Sequence, residues 1–175
     1  IENRGTTKGK EVISSWIRNR DMRYFAKLDV RKCFESIDRD RLMEFLRQHV
    51  KNDRLLHLVE LLIGSFERGL SIGSYLSQYL CNLYMSILYH EIKERMYRMR
   101  KGKRGEKRIN LVRRCLIYMD DILLIGSRKQ DLEKAAKLVV EKAAGMGLEI
   151  KANYQVRQTG GNNIDMLGYK IYRTH

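Results

Sequence analysis

The segment Cys115–Gly126 carries two adjacent aspartates, Asp120 and Asp121, between two strongly apolar arms. Apolar runs on either side of a short polar turn are typical of two buried strands joined as a hairpin. Such a hairpin places both carboxylates at its tip while its flanks enter the core. Two acids that simply form the turn are the alternative, because aspartate is common in turns. An ionised carboxylate beside a core is costly without a compensating cation, which favours a cation site.

A third acid, Asp29, ends the run Tyr24–Val30, which is short and mostly apolar and predicts a buried strand. If the two strand ends lie side by side, three carboxylates meet, and they raise each other's pKa unless a metal is bound. Oxygen ligands suit Mg²⁺ or Mn²⁺, and two such ions about 3.5–4 Å apart are the usual clamp for phosphoryl transfer. The pattern predicts a two-metal site at Asp29, Asp120 and Asp121.

The rest of the chain predicts an α+β fold with a small, mainly antiparallel sheet and helices packed on one face. Its length of 175 residues suits one domain, or one domain and part of another. A glycine-punctuated basic turn is expected at 4–10 and a Gly-Ser loop at 69–74. Apolar spacing predicts helices over 11–20, 53–66, 75–99 and 130–146. One more helix is expected to begin at a cap provided by Asp38 or Asp40. Strands are expected over 24–30, 111–118, 122–125, 148–151, 154–158 and 164–172.

The charge balance indicates a polyanionic partner. Lysine and arginine number 35 against 21 aspartates and glutamates, a net charge of +14, and nucleic acid is the commonest such partner. The densest basic run lies within 95–108, and its alternative interpretation is a solvated surface. Met96, Tyr97 and Met99 are assigned to the face of the long helix. The predicted nucleic-acid-binding residues are Arg98, Arg100, Lys101, Lys103, Arg104, Lys107 and Arg108.

Further features of the sequence concern the cellular compartment and the extent of the chain. Cys33, Cys81 and Cys115 are widely spaced and form no CxxC pair, so buried thiols in a reducing cytoplasm are expected rather than disulfides or zinc. No apolar run approaches the roughly 20 residues of a membrane helix, so no membrane association is expected. The chain begins at Ile1 rather than methionine, so we interpret it as part of a longer protein.

Several separated motifs resemble those of reverse transcriptases, in the same order. They are LDVRKCF at 28–34, IGSYLSQ at 72–78 and YMDD at 118–121. DMLGY at 165–169 resembles the later motif that grips the primer, and RGTTKGK at 4–10 resembles a segment of the fingers. The resemblance implies a polymerase palm, with a ferredoxin-like antiparallel sheet, over 24–175, and part of the fingers over 1–23. Residues 53–74 could lie near the fingers, and the thumb is not expected in this chain.

The resemblance also implies roles for single residues. Asp29, Asp120 and Asp121, with the backbone carbonyl of Val30, match the ligands of two Mg²⁺ ions, for which Mn²⁺ can substitute. Phe34 matches the aromatic residue that clashes with a 2′-hydroxyl and so selects deoxynucleotides. An ordinary core aromatic is the alternative for Phe34.

The remaining matches concern nucleotide and primer. Arg31, Lys32 and Cys33 would pass their backbone near the triphosphate. Gln78 would contact the incoming nucleotide or the templating base, unless it is a surface residue after a serine cap. Lys151 would protonate the leaving pyrophosphate, unless it is a plain surface lysine. Leu167, Gly168 and Tyr169 would form the primer grip, although Gly168 could equally mark a strand bulge.

The motif IGxxxSQ resembles the diversity-generating retroelement branch, because most reverse transcriptases carry QGxxxSP. Ser71 and Ile117 depart from that branch, which often has proline and a basic residue there. Intron-encoded (group II) and phage-defence reverse transcriptases are alternatives. A non-catalytic RNA-binding palm and a nucleotidyl cyclase are alternatives of other classes. The expected partners are an RNA template, a DNA primer, dNTPs and an accessory RNA-binding protein, in a bacterial cytoplasm.

Overall fold

The computed structural model describes residues 5–102 and 105–173. Within them the helices are α1 Thr6–Arg18, α2 Cys33–Ser36, α3 Arg39–His49, α4 Asp53–Gly64, α5 Tyr75–His90 and α6 Lys129–Gly145. The strands are β1 Tyr24–Arg31, β2 Tyr97–Gly102, β3 Gly105–Asn110, β4 Arg114–Tyr118, β5 Asp121–Gly126, β6 Glu149–Ile150, β7 Val156–Gln158, β8 Ile164–Met166 and β9 Tyr169–Ile171. A π-helical turn, Glu91–Arg95, continues α5.

The main sheet is antiparallel and has β1 at its centre. Its order is β4-β5-β1, and both β6 and β7 pair with the remaining edge of β1. β6 pairs at the C-terminal end of β1, where Val30 faces Ile150, and β7 pairs at its N-terminal end. Both edges of β1 are paired, and its side chains from Tyr24 to Val30 are buried or half-buried.

Alternation along the strands divides the core between two faces of the sheet. On one face, Ala26 and Leu28 of β1 pack in a cluster with α3, α5 and α6. On the other, Phe25 of β1 packs in a second cluster with α1, β8 and β9. The predicted antiparallel sheet with helices packed on one face is confirmed. The α1 helix and the β8–β9 hairpin add a partial layer on the other face.

The prediction of one helix over 75–99 is wrong beyond His90. The chain forms a π-helical turn and leaves the helix at Met96, which has φ −87° and ψ 85°. β2 and β3 then pair residue for residue from Tyr97 opposite Asn110 to Gly102 opposite Gly105. Met96 is buried, whereas Tyr97 and Met99 are exposed on β2 and belong to no helix face. Apolar residues at helical spacing concealed this boundary.

Two terminal segments also differ from expectation. α1 already begins at Thr6, so the predicted basic turn at 4–10 is largely helical; Arg4 lies outside the described residues. Gly9 lies against Leu167 inside that helix, because a Cβ there would lie 2.3 Å from Cδ1 of Leu167, so a larger residue would displace the leucine side chain. The single strand predicted over 164–172 is instead a hairpin, β8–β9. Its turn residues Leu167 and Gly168 both have positive φ, 60° and 79°, as a type I′ turn requires.

Other predictions are confirmed with small shifts of boundary. Asp38, rather than Asp40, caps α3 by accepting backbone hydrogen bonds from Asp40 and Arg41. Gly147 follows α6 with φ 77°, which suits a helix end. All three cysteines are buried and free of disulfides in the described chain. None of the helices in 5–102 and 105–173 is long and apolar enough to cross a membrane.

Candidate active site

The three acids predicted as a site lie at one end of the central strands, and we call Asp29, Asp120 and Asp121 the carboxylate edge. Asp29 on β1 is the direct register partner of Asp121 on β5. Asp120 lies in the preceding turn, where its carbonyl accepts a 2.9 Å hydrogen bond from the Val30 backbone N–H. Alternation puts Asp29 and Asp121 on the sheet face opposite α5 and α6. Two adjacent strands therefore present these two carboxylates on one face.

Asp120 is held in a tight turn that α5 braces. Tyr118 pairs with Asp121, so Met119 and Asp120 form a two-residue hairpin connection. Met119 has φ 53°, and a positive φ at the first turn position alone is the type II′ pattern, which favours glycine. The Met119 N–H donates to Oδ1 of Asn82 at 3.2 Å, and Asn82 Nδ2 donates to the Gln78 carbonyl at 2.9 Å. The strained turn is thus connected to the first turns of α5.

Two lysines accompany the carboxylates. Lys27 Nζ lies 2.9 Å from Oδ1 of Asp121, and Lys151 Nζ lies 2.7 Å from Oδ1 of Asp29. The Lys151 N–H also donates to the Asp29 carbonyl at 2.9 Å, which fixes the backbone of the two residues together. A cleft of about 220 Å³ opens beside Lys27 and Asp29. The sequence interpretation overlooked Lys27, although a lysine within a buried strand and two positions before Asp29 was a usable signal.

The electrostatics of the edge reflect crowding of like charge. Burial raises the pKa of Asp121, and the charges of Asp120 and Asp29 raise it further, while Lys27 lowers it. The polar contact with the Asp29 carboxylate raises the pKa of Lys151, so this lysine stays protonated at neutral pH. The carboxylates are therefore close enough to repel one another.

Among the described residues, no three His, Cys, Asp or Glu side chains are gathered tightly enough to hold a metal as they stand. Asp29 and Asp121 are directed to their lysines instead. Nevertheless, Oδ1 of Asp29 is shielded from solvent and makes no hydrogen bond within 5–102 and 105–173, although the Lys151 ammonium lies 2.7 Å away. Such a carboxylate oxygen, beside two more carboxylates, suits a hard divalent cation. The donor set fits Mg²⁺ in its chemistry.

The predicted triphosphate turn directly follows Asp29. Arg31 is exposed and pairs with Glu149 at 3.4 Å, and Lys32 is left-handed with φ 46°, an uncommon conformation that is often found at functional sites. Cys33 is buried with its Sγ 3.6 Å from that of Cys81. This thiol–thiol hydrogen bond, together with burial, raises the pKa of Cys33 well above its usual range, so the thiol is unreactive.

Phe34 is half-buried on α2, and a neighbouring loop fixes its backbone. Its carbonyl accepts a 2.8 Å hydrogen bond from the Leu70 N–H. A Cβ at Gly69 would lie only 2.3 Å from that same carbonyl oxygen, so the close approach needs glycine, which also has φ 53°. Arg39 donates to the Gly69 carbonyl at 2.8 Å. The position of Phe34 therefore depends on the 66–70 segment.

Gln78 lies in the first turn of α5 and is partly exposed. Ser74 occupies the N-cap position, but its side chain makes no capping hydrogen bond. The Ser77 hydroxyl is buried and has no hydrogen-bond partner in the part of the chain that the structure describes. Tyr75 and Tyr79 are 90% and 66% exposed beside it. The start of α5 thus presents polar and aromatic side chains to solvent.

The predicted primer-grip residues lie at the β8–β9 turn. Leu167 contacts α1 at Gly9, and the Tyr169 ring lies under Lys10, whose Nζ is 4.7 Å from the ring centre. A mainly apolar groove of about 610 Å³ has Leu167 in its lining together with Tyr118, the residue before the turn of the carboxylate edge. The tail motif and the YMDD segment therefore line a common groove.

The predicted nucleic-acid-binding cations lie on the β2–β3 hairpin. Arg100, Lys101, Lys107 and Arg108 are exposed there, whereas Lys103 and Arg104 lie outside the described residues. Arg98 differs, because its Nε lies 3.2 Å from Oδ1 of Asp131 on α6 and the pair is largely buried. The sequence interpretation also missed cations that lie near the hairpin in the fold, namely Lys93, Arg113 and Arg114.

Comparisons with known proteins identify the family of this chain. The family described as reverse transcriptase (RNA-dependent DNA polymerase) matches residues 2–171. The COX1/OXI3 intron 1 protein of Saccharomyces cerevisiae is 26% identical in an alignment of 91 residues, with a coverage of 46% of this chain and 11% of the yeast protein.

Two solved structures share the fold. Apo telomerase from Candida tropicalis, truncated from its C-terminal domain, has a TM-score of 0.57 and 15% identity, covering 87% of this chain and 36% of that one. Telomerase from the same organism in complex with the TWJ fragment of telomeric RNA has a TM-score of 0.51 and 15% identity, covering 96% of this chain and 32% of that one. The chain therefore spans well under half the length of each relative. Because the family match extends over nearly its whole length, the chain belongs to the reverse transcriptase (RNA-dependent DNA polymerase) family.

Proposed function

We propose that this chain is the catalytic palm of an RNA-directed DNA polymerase, which adds dNTPs to the 3′-hydroxyl of a DNA primer paired with an RNA template. One observation carries the proposal: Asp29 and Asp121 are direct partners on adjacent strands, and Asp120 lies in the turn that joins them to β4. A scaffold with no need of charge would not place three acids together at a half-buried strand end, because their mutual repulsion costs stability.

Asp29, Asp120, Asp121 and the Val30 carbonyl would hold two Mg²⁺ ions, or Mn²⁺ in their place. Such ions, when bound, activate the attacking hydroxyl and neutralise the triphosphate and its leaving group. Lys27 and Lys151 balance the carboxylates when no metal is bound. Lys151 Nζ, which stays protonated at neutral pH, donates a proton to the departing pyrophosphate.

The residues around the edge bind and select the substrates. The Arg31–Cys33 turn presents its backbone to the triphosphate, and the Phe34 ring excludes a ribose 2′-hydroxyl. Gln78 contacts the incoming nucleotide or the templating base. Leu167, Gly168 and Tyr169 hold the primer strand beside the groove that Leu167 and Tyr118 line.

We further propose that the protein belongs to the diversity-generating retroelement branch, on the basis of IGSYLSQ at 72–78. It would then be encoded by a bacterium or phage, act in the cytoplasm, and work with an accessory RNA-binding protein. In this proposal residues 1–23 are part of the fingers and 24–175 the palm. A near-repeat in the neighbouring DNA that differs mainly at adenines would support the branch, and group II intron sequences around the gene would contradict it.

Primer extension on poly(rA)/oligo(dT) with Mg²⁺ or Mn²⁺ tests the polymerase proposal, using a version of the protein that includes any sequence encoded on either side. We expect extension that Asp120→Asn reduces to background. Asp21→Asn, an exposed acid outside the site, is the matched control and should extend as the wild type does. Extension that survives Asp120→Asn would overturn the site. A wild-type protein that binds RNA but extends with neither metal would indicate a non-catalytic binding module.

A further inference from the structure

A groove of about 850 Å³ lies between the β2–β3 hairpin and the body of the palm, outside the carboxylate edge. Among the described residues, its lining contains no acidic and no aromatic side chain. We call its cationic lining the basic groove: Lys93, Arg100, Lys101, Lys107, Arg108, Arg113 and Arg114. Only part of this set belongs to the basic run of the sequence, because the fold adds Lys93, Arg113 and Arg114.

Most cations of the basic groove have no acidic partner among the described residues, although Glu106 lies opposite Lys101 in the hairpin register. Arg100 lies directly opposite Lys107 in the hairpin register, and like charges in that position destabilise a strand pair. No ion pair in the described parts of the chain involves any residue of the groove. A concentration of uncompensated positive charge attracts an anionic ligand and releases counterions when that ligand binds.

The hairpin is fixed to the palm and is not a loose basic arm. At its base, Met96 and Leu111 are buried, and the Leu111 N–H donates to the Met96 carbonyl at 3.0 Å. Along its length, Arg98 forms the largely buried ion pair with Asp131 of α6. These contacts hold Arg100 and Lys107 at a set position relative to Arg113 and Arg114. The basic groove is therefore preorganised.

The basic groove lies away from the carboxylate edge. Arg114 begins β4 opposite Ile125, whereas Tyr118 ends it opposite Asp121. This separation along the strand is about 13 Å at roughly 3.3 Å per residue. The hairpin leaves the palm at the Arg114 end, so its cations lie at the opposite end of β4 from the acids. A ligand in the groove is not at the reacting end of the primer.

We propose that the basic groove binds the sugar–phosphate backbone of a base-paired nucleic acid segment outside the stretch being copied. The described lining has no aromatic side chain on which single strands could stack, and the neighbouring Tyr97 ring already has the Arg108 guanidinium 3.9 Å from its centre. Cationic side chains can contact the regularly spaced phosphates of a duplex without contacting its bases. This proposal adds a second nucleic-acid-binding site to the proposed polymerase, and it rests on that proposed function for the identity of the nucleic acid. The shared ligand chemistry is the phosphodiester backbone, supplied by an RNA stem or by a DNA duplex.

Binding by the full chain in EDTA tests this proposal without any catalytic step. The probes are a hairpin RNA, a DNA duplex of equal length and a single strand. We expect Arg100→Gln combined with Lys107→Gln to weaken duplex binding about tenfold or more near 0.1 M salt, and to lower the slope of log K against log salt by about 2. Lys51→Gln with Arg54→Gln removes the same charge from exposed positions on α4 and its approach, and should retain most of the affinity.

The probes whose binding is weakened in the groove variant identify the nucleic acid that the groove binds. A loss on the hairpin RNA alone assigns the groove to RNA, and an equal loss on both duplexes assigns it to the shared backbone; either result supports the proposal. Wild-type duplex affinity in the groove variant, or an equal loss in the Lys51 and Arg54 control, would overturn it. Primer extension by the wild type on poly(rA)/oligo(dT) is measured in parallel. Failure of the wild type to extend would instead count against the polymerase proposal, whatever the binding result.

Discussion

The carboxylate edge and the basic groove are both charged, but their charges are arranged in opposite ways. At the edge, Asp29 and Asp121 each have a lysine nitrogen within 3 Å, at 2.7 and 2.9 Å. In the groove, Arg100 and Lys107 face each other, and none of the described lining residues is acidic. The edge therefore carries its own counter-ions, whereas the groove requires them from outside.

The difference follows from burial. The Asp121 side chain is only 20% exposed, and an unpaired charge in such a place is costly, so the fold itself must supply a cation. The hairpin cations are exposed, where water and salt screen their repulsion at small cost. We infer that the edge exchanges lysine for metal without losing stability, while the groove gains stability when it binds a polyanion.

Asp121→Asn gives the largest expected effect and tests the edge. Primer extension should fall to background, whereas the fold should not be weakened. Because the pKa of Asp121 is raised in the folded state, folding favours its protonated form. This contribution to stability is present below the unfolded pKa, about 3.9, and is lost as pH rises through the folded pKa.

The free energy of unfolding of Asp121→Asn in EDTA should therefore equal that of the wild type below about pH 4 and exceed it at pH 7. Urea denaturation at both pH values measures the difference. Lys27 is 32% exposed and can turn to water when its partner loses charge. A variant that is less stable than the wild type at pH 7 would show that the Lys27–Asp121 pair stabilises the fold, contrary to this account.

Phe34→Ala is expected to have the next largest effect. It should change the selection between deoxynucleotides and ribonucleotides at the carboxylate edge and leave the basic groove unaffected. Loss of the ring should raise ribonucleotide incorporation relative to deoxynucleotides by about tenfold to a hundredfold, because a steric clash with the 2′-hydroxyl is removed. Steady-state single-nucleotide insertion measures kcat/KM for the two substrates. Phe45→Ala, another half-buried phenylalanine but on α3, should leave the ratio unchanged. Duplex binding in the basic groove should be the same in both variants, and a parallel loss there would mean that the two regions are not separate.

The carboxylate edge could be anticipated from sequence because its signal is local. Apolar runs around Asp29 and around Asp120 and Asp121 predict strands, and adjacent antiparallel strands bring their ends together. What alternation does not reveal is the partner of each acid. Lys151 reaches Asp29 through pairing of β6 with β1, which no local pattern encodes. The roles of these residues remain predictions.

The basic groove was harder to anticipate for two physical reasons. Ile92, Met96 and Met99 continue the helical spacing of α5, so the change to a hairpin at Tyr97 was hidden. Both strands of that hairpin are polar and largely exposed, so they lack the apolar alternation that identifies a half-buried strand. In addition, Lys93 precedes the basic run and Arg113 and Arg114 follow it, and only the fold brings all three into one groove with Arg100 and Lys107. The basic run in the sequence therefore predicted a nucleic-acid ligand, but it did not predict which residues form the binding surface.

Arg100→Glu should have the smallest effect on stability, and it separates the stability of the hairpin from its binding. The substitution turns the opposed Arg100 and Lys107 into an attractive pair, which should stabilise the hairpin by about 0.5–1 kcal/mol. Slower amide hydrogen exchange in β2 and β3 would measure that gain, and duplex affinity should fall. Glu106→Gln is the matched control, because it removes an attractive partner opposite Lys101 and should speed exchange without weakening binding. If Arg100→Glu instead destabilised the hairpin, repulsion between Arg100 and Lys107 would not be what destabilises it. A bound polyanion would then have no such repulsion to relieve, and the proposed difference between the carboxylate edge and the basic groove would be wrong.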